Sequence, residues 1–317
     1  MFKLSIVIPV YFNQDNLYPL YTELKEKLFD VMDFSYELIM VDDGSGDNSW
    51  EILKQLSSKD PNIKIYKLSR NFGSHSAILC GISKATGDCI AVKAADMQEP
   101  IEVITKMVES WREGNNVVLA VRKGREESFS QRFFAAAYYW LVRKVALPNM
   151  PKGGFDCFLL DKKVVGVLKQ KNELNSAITG QILWSGFKTS YIFYMRKARE
   201  IGKSRWTLRK KIRLVTDTLF SFSNLPITIV SIVGFLSILG AVLWAVLVII
   251  FKFRGLIEVS GWTTLFIFNL FSFGVIMFTL GILGGYLWRT FDVARNRPSY
   301  IIEDEKEDSA LSENSLR

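Results

Sequence analysis

Thr218–Phe251 reads TLFSFSNLPITIVSIVGFLSILGAVLWAVLVIIF, and Val259–Trp288 reads VSGWTTLFIFNLFSFGVIMFTLGILGGYLW; only the polar hinge Lys252–Glu258 separates them. Neither run contains Asp, Glu, Lys or Arg. Each exceeds the roughly 20 apolar residues with which an α-helix crosses the hydrocarbon core of a bilayer. Gly234, Gly240, Gly274, Gly281, Gly284 and Gly285 let such helices approach closely, within one chain or between copies. The pair reads as a membrane hairpin at the end of a chain that begins quite differently. An enzyme tied to a bilayer is expected to find a substrate there.

Charge orients the hairpin. The 317 residues carry a formal charge of +8, and basic residues crowd Lys197–Arg213 before the first run. Arg289, Arg295 and Arg297 follow the second run, whereas the hinge sets Lys252 and Arg254 against Glu258. By the positive-inside rule both flanks and the head face the cytoplasm and the hinge faces out, in a multi-pass protein of the plasma (inner) membrane. Because the basic cluster abuts a span, anionic lipid rather than nucleic acid is the expected partner. Cys80, Cys89 and Cys157 form no metal-binding spacing and read as reduced structural thiols. No basic-then-apolar leader precedes Leu4–Val10. Glu303–Arg317 is acidic, without apolar periodicity, and reads as disordered.

Ahead of the hairpin, Leu4–Val10, Glu37–Val41, Ile63–Leu68, Cys89–Val92 and Val117–Val121 read as strands. Asn16–Asp30, Ser49–Ser58, Ser74–Ala85 and Ile101–Glu113 between them read as helices. That alternation predicts an α/β head with a mostly parallel sheet covered on both faces, its ligands outside the carboxyl ends of the strands. Residues 1–200 form this head, 201–224 a juxtamembrane segment, 225–290 the spans and 291–317 a cytoplasmic tail. Phe129–Leu147 mixes aromatics with Arg132, Arg143 and Lys144, and fits either an interfacial amphipathic helix or one packed on the sheet. Thr207–Phe222 repeats Leu208, Ile212, Val215, Leu219 and Phe222 at helical spacing among basic residues, which predicts a helix along the cytoplasmic membrane surface.

The strand exits carry the candidate chemistry. Asp42 and Asp43, before Gly44, can accept hydrogen bonds from a base or ribose, or cap the next helix. Asp96 and Gln98, two apart in extended chain, offer hard oxygen donors to one side. Arg199, Lys203 and Arg205 are membrane-surface charge, and the two arginines also lie where a lipid-borne phosphate would arrive. His75 is the only histidine, so there is no Ser/His/Asp triad, and it reads as structural. GxSxG, Walker and GxGxxG patterns are absent.

Together Ser5–Tyr11 (SIVIPVY), Val41–Ser45 (VDDGS), Arg70–Gly73 (RNFG), Asp96–Gln98 (DMQ), Gly202–Trp206 (GKSRW), Pro226 and Arg295–Pro298 (RNRP) carry a resemblance over nearly the whole chain. The chain resembles glycosyltransferase family 2, in its polyprenyl-phosphate glycosyltransferase branch. The resemblance implies a GT-A-type head that binds a nucleotide-diphosphate-sugar through Pro9, Val10, Tyr11, Asp42, Asp43 and Arg122. It further implies Mg²⁺ or Mn²⁺ at Asp96 and Gln98. Arg199 and Arg205 would serve catalysis at the phosphates alongside Asp96, and Asp156 would position the acceptor. The implied reaction is inverting transfer of a sugar to polyprenyl (undecaprenyl) phosphate, by a homo-oligomer at the cytoplasmic face.

Two positions depart from the family pattern. Ala94 stands where the first aspartate of Asp-x-Asp-x-Gln usually does, and Asn13 replaces an acidic residue. Lys93, at the strand end, could supply part of the missing cation binding, and is otherwise an exposed lysine. Ala94 also motivates an alternative, a catalytically inactive membrane scaffold. A processive polysaccharide synthase is disfavoured, because Gly202 occupies its glutamine position and only two spans exist.

Overall fold

The computed structural model describes residues 2–123, 129–169, 178–196, 208–254 and 261–306. The head is an eight-stranded sheet in the order β7-β5-β6-β4-β1-β2-β3-β8. Its strands are β1 (Lys3–Val10), β2 (Ser35–Asp42), β3 (Ile63–Leu68), β4 (Cys89–Val92), β5 (Val117–Arg122), β6 (Phe155–Asp161), β7 (Thr189–Tyr194) and β8 (Ile302–Lys306). The β1–β2, β1–β4, β2–β3 and β5–β7 ladders are parallel, and β6 lies antiparallel between β4 and β5. Two antiparallel steps restore direction, so β1, β2, β3, β4, β5 and β7 all end on one rim.

Helices α1 (Gln14–Leu24), α2 (Ser49–Lys59), α3 (Ser74–Lys84) and α4 (Glu102–Arg112) fill the crossovers as the alternation predicts. A π-helical turn, Lys25–Phe29, extends α1. One face of the sheet buries Leu4, Ile6 and Ile8 against Leu17, Leu20 and Leu24 of α1 and Leu53 and Leu56 of α2. The other face buries Val7, Ile39 and Val41 under α3. There α3 lies so close to β1 that a Cβ on Gly81 would stand 2.3 Å from Val7 Cγ1. The three cysteines are buried and free.

Glu37 is a buried charge made tolerable by its partners. It accepts from Ser5 Oγ and Thr86 N at 2.6 Å and from Lys64 Nζ at 2.9 Å, and pairs with Lys3 at 3.0 Å. Burial pushes its carboxyl up, but these hydrogen bonds outweigh that and hold it at about 2.

Helix α5 (Phe129–Val145) packs on the sheet through Val142 in the core, while Trp140 is exposed. Short helices α6 (Lys162–Lys169) and α7 (Ile178–Trp184) cover the same face. Helix α8 (Leu208–Phe222) joins this layer to α9 (Leu225–Phe253) and α10 (Trp262–Ala294). The Phe222 ring sits where a Cβ on Gly180 of α7 would be, and Thr218 is buried beside Tyr138 of α5. Arg289 of α10 reaches back to Asp217 Oδ1 at 2.6 Å and Ser221 Oγ at 3.0 Å of α8. Helix α9 and Phe271–Ala294 of α10 are long and apolar enough to cross a membrane.

Two expectations are corrected. Ile302–Lys306 is not disordered: it pairs antiparallel with β3, and its acidic side chains find Lys67 of β3 (Glu303, 2.8 Å) and Lys84 of α3 (Glu305, 3.0 Å). The remainder of that tail, 307–317, lies outside the described residues. Lys93 is not exposed but wholly buried, because its ammonium finds Glu99 inside the fold.

Candidate active site

The site begins where β1 and β2 end side by side. Pro9 lies opposite Val41 in the ladder, and Val10 is fully buried with its carbonyl accepting from Asp43 N at 2.9 Å, so its apolar side chain belongs to the core. Tyr11 meets Phe12 edge-on at 4.7 Å. Phe12 itself adopts φ +55, a left-handed backbone rare outside glycine. Its N–H donates to Ser45 Oγ at 3.0 Å, and Asn13 N donates to Ser49 Oγ at 3.1 Å. Asn13 Oδ1 accepts from Tyr11 N at 3.0 Å, so this departure from the family pattern shapes the β1 exit locally.

Asp42 and Asp43 are both buried. Asp42 accepts from Ser45 N at 3.3 Å, and burial raises its carboxyl above the usual range. Asp43 accepts from Phe72 N at 2.7 Å and Gly73 N at 3.0 Å, tying the β2 exit to the β3 exit. Burial lifts Asp43 to about 6 against the pull of those bonds. Gly44 at φ +68 completes the junction: a Cβ there would lie 2.6 Å from the Arg70 carbonyl carbon.

The second half of the site gathers around the β4 exit. Lys93 N is held by Val7 O at 3.1 Å, after which the chain turns through Asp96, Met97 and Gln98. Met97 takes φ +57, the second left-handed non-glycine residue on this rim, and Asp96 Oδ1 accepts from Gln98 N at 3.3 Å. Arg196, two residues past β7, places Nη2 3.5 Å from Asp96 Oδ2. Arg122, at the end of β5, forms an ion pair with Asp156 of β6, whose side chain remains half exposed. Beneath them lies Glu99, with both carboxylate oxygens buried and lacking hydrogen-bond partners. Burial raises its carboxyl and Lys93 draws it back. Among the described residues, the Nε atoms of Arg122 and Arg196 are likewise buried without hydrogen-bond partners.

Of the residues singled out from sequence, Pro9, Val10, Tyr11, Asp42 and Asp43 form one contiguous half-rim. Asp96, Gln98, Arg122 and Asp156 stand at the ends of β4, β5 and the start of β6 on the same side of the sheet. Arg199, Lys203 and Arg205 lie outside the described residues. Sequence reasoning missed Arg196 and Glu99. The signal for Arg196 was β7 itself, an alternating run Thr189–Tyr194 whose parallel exit points at the rim. His75 sits apart at the start of α3: burial lowers it, and Asp217 of α8 pulls it back up.

The donor set fits a hard divalent cation. Asp96 and Gln98 offer a carboxylate and an amide oxygen, and Mg²⁺ characteristically takes one or two protein carboxylates, several waters and substrate phosphates. Among the described residues no group of three His, Cys, Asp or Glu makes an all-protein cage. The rim can therefore hold a polyanion through guanidinium forks and a partly protein-bound cation.

Comparison with known proteins places this geometry. The family model described as glycosyl transferase family 2 matches residues 5–167. An uncharacterized glycosyltransferase of Bacillus subtilis, YkcC, is 37% identical over 300 residues, covering 94% of this chain and 93% of that protein. A prophage bactoprenol glucosyl transferase homolog of Escherichia coli is 31% identical, covering 95% and 98%. The bactoprenol glucosyl transferase of Shigella phage SfV is 30% identical, covering 96% and 99%.

Proposed function

The chain belongs to glycosyl transferase family 2, and on that premise we propose that it moves one sugar, glucose foremost, from a nucleotide-diphosphate-sugar to undecaprenyl phosphate at the cytoplasmic face of a membrane. One observation carries the reading: a single rim holds Asp96 with Arg196 and Arg122 with Asp156, in a chain whose C-terminal helices are long enough to span a bilayer. The names of the relatives support a polyprenyl acceptor and a glucosyl donor.

The half-rim of β1 and β2 takes the nucleoside, with Pro9, Val10 and Tyr11 presenting backbone and ring. Asp42 and Asp43 shape that pocket and offer acceptor oxygens. Arg122 and Arg196 face the diphosphate, joined from the connecting segment by Arg199 and Arg205. Asp96 and Gln98 hold Mg²⁺ or Mn²⁺, which when bound offsets charge on the leaving diphosphate. The acceptor needs little activation, since a phosphate monoester with its second pKa near about 6 is largely a dianion at neutral pH. Its difficulty is reaching an anionic donor, and the guanidinium groups lower that repulsion. Attack opposite the leaving group inverts the anomeric centre. Asp156, half exposed and paired with Arg122, positions the acceptor side of the cleft. The excess of positive charge on both flanks of the hairpin puts the head on the cytoplasmic side of a multi-pass plasma-membrane protein, and glycine-lined helix faces suit a homo-oligomer.

The test is direct. Purified full-length protein is incubated with undecaprenyl phosphate, a panel of nucleotide-sugars and Mg²⁺, Mn²⁺ or chelator, and the lipid product is weighed by mass spectrometry. A hexosyl-phospholipid that appears with UDP-glucose and disappears with chelator is the expected result. No product with any donor, together with unchanged donor binding in Asp96→Ala, would favour the inactive scaffold.

A further inference from the structure

Among the described residues, Lys93 and Glu99 form a buried charge pair on the rim that no step above uses. Lys93 is 0% and Glu99 1% exposed. The ammonium donates to the Glu99 carbonyl at 2.5 Å and stands 3.6 Å from Glu99 Oε2, so it holds both the backbone and the side chain of one residue. What it closes is the loop from Lys93 to Glu99, which carries Asp96, the left-handed Met97 and Gln98. The other end of that clamp is anchored on β1 through Lys93 N and Val7 O. Among the described residues the Glu99 carboxylate accepts no hydrogen bond, and the Nε atoms of Arg122 and Arg196 are also unpartnered.

A buried ammonium and carboxylate cost desolvation that their attraction only partly returns, so packed apolar residues would serve stability as well or better. Something other than stability is the better reason for the pair. Ala94 suggests it: with alanine in place of the usual first aspartate, Asp96 is the one carboxylate at the turn, and a tether inside the loop holds it in place.

We propose that Lys93 and Glu99 are positioning residues of the proposed transfer reaction: held together, they fix the loop that presents Asp96 and Gln98. This rests on the reading of the rim as a nucleotide-diphosphate-sugar site.

The experiment compares Lys93→Met, Glu99→Gln and the double variant in detergent-solubilised full-length protein. Three quantities are read: melting temperature, UDP affinity by calorimetry with MgCl₂, and hydrogen exchange of the amides from Ala94 to Glu99. Lys93→Met strands a buried carboxylate and should melt several degrees lower. The double variant removes both charges and should recover the wild-type melting temperature. If the pair positions the site, the double variant nevertheless binds UDP about tenfold more weakly and exchanges its loop amides faster than wild type. A double variant that melts, binds and exchanges like wild type overturns the proposal and leaves the pair purely structural. Failure of wild type to form product while it still binds UDP would instead overturn the transfer reading, and the exchange comparison would still decide the role of the pair.

Discussion

Arg196 Nη2 stands 3.5 Å from Asp96 Oδ2, joining the residue beyond an edge strand to the loop that follows the middle of the sheet. Both side chains are mostly buried, at 15% and 12% exposed. Asp96→Asn keeps the shape of the loop but removes the carboxylate that faces Arg196. Turnover is expected to fall by roughly a hundredfold or more, the scale of losing one preorganised charge contact. Arg196→Gln should raise the KM for donor as well as lower kcat. Initial rates of lipid-product formation check both.

The Arg122–Asp156 pair should be energetically coupled. Arg122 is largely buried and Asp156 half exposed, so removing the arginine is the more damaging change. A double-mutant cycle of Arg122→Gln and Asp156→Asn should give a coupling of about 0.5–1 kcal/mol in donor binding, at the low end for paired charges. Independent, additive losses would mean that the ion pair does not hold the Arg122 guanidinium for the donor.

Gly44→Ala should damage both stability and nucleotide binding. Its φ of +68 costs an L-residue about 1–2 kcal/mol, and the new Cβ would press on Arg70 backbone at 2.6 Å. Gly114→Ala is the control, because φ there is +88 but nothing lies within 4 Å. Thermal melts should show the larger loss for Gly44→Ala, and only that variant should lose UDP binding.

Acid should unfold the head through Glu37. Its folded pKa of about 2 lies below the unfolded value of 4.5, so the stability it contributes is present above pH 4.5 and lost as pH falls through 2. At about 1.4 kcal/mol per pKa unit this amounts to no more than roughly 3.5 kcal/mol. Glu37→Gln should melt lower than wild type at pH 7, with the gap closing toward pH 3. Asp43 works in the opposite sense: its folded pKa of about 6 exceeds the unfolded 3.8, so its contribution is fully present below 3.8 and is lost as pH rises through 6. Asp43→Asn should therefore melt higher than wild type at pH 7 while binding nucleotide more weakly.

Arg289→Met should loosen α8 without unfolding the head. The residue joins α10 to Asp217 and Ser221 of α8, and its guanidinium lies 5.1 Å from the Phe220 ring. Faster amide exchange across Val215–Phe222, with an unchanged far-ultraviolet spectrum, is the expected outcome.

Much of this was readable from residue order because the signals were local. Apolar runs separated by helical spacing gave β1 to β5 and α1 to α4 to within a few residues, and two uncharged runs gave α9 and α10. The acidic pair at Asp42 and Asp43 marked the rim, but the sequence does not say that Asp43 is engaged by Phe72 and Gly73 amides. What stayed hidden depended on distant partners. β8 is IEDEK, a poor strand by composition, and forms because Lys67 and Lys84 wait on the neighbouring elements. Lys93 looks like a surface residue until the loop bends Glu99 back over it. Arg196 became visible only once β7 was placed parallel to β5.

The return of β8 to the sheet after α10 has a mechanical result. Ser69 N donates to Ile301 O at 3.0 Å, the Tyr300 and Ser83 hydroxyls share a bond of 2.6 Å, and β8 then runs beside β3. Meanwhile α8 grips the same helical layer further along the sheet, through α5 and α7. A body on one stalk can nod and swivel; a body pinned at both roots of a hairpin resists rotation about the line between them. On the proposed reading, the rim is thereby kept at a set height and tilt over the bilayer, and the lipid acceptor would do the travelling.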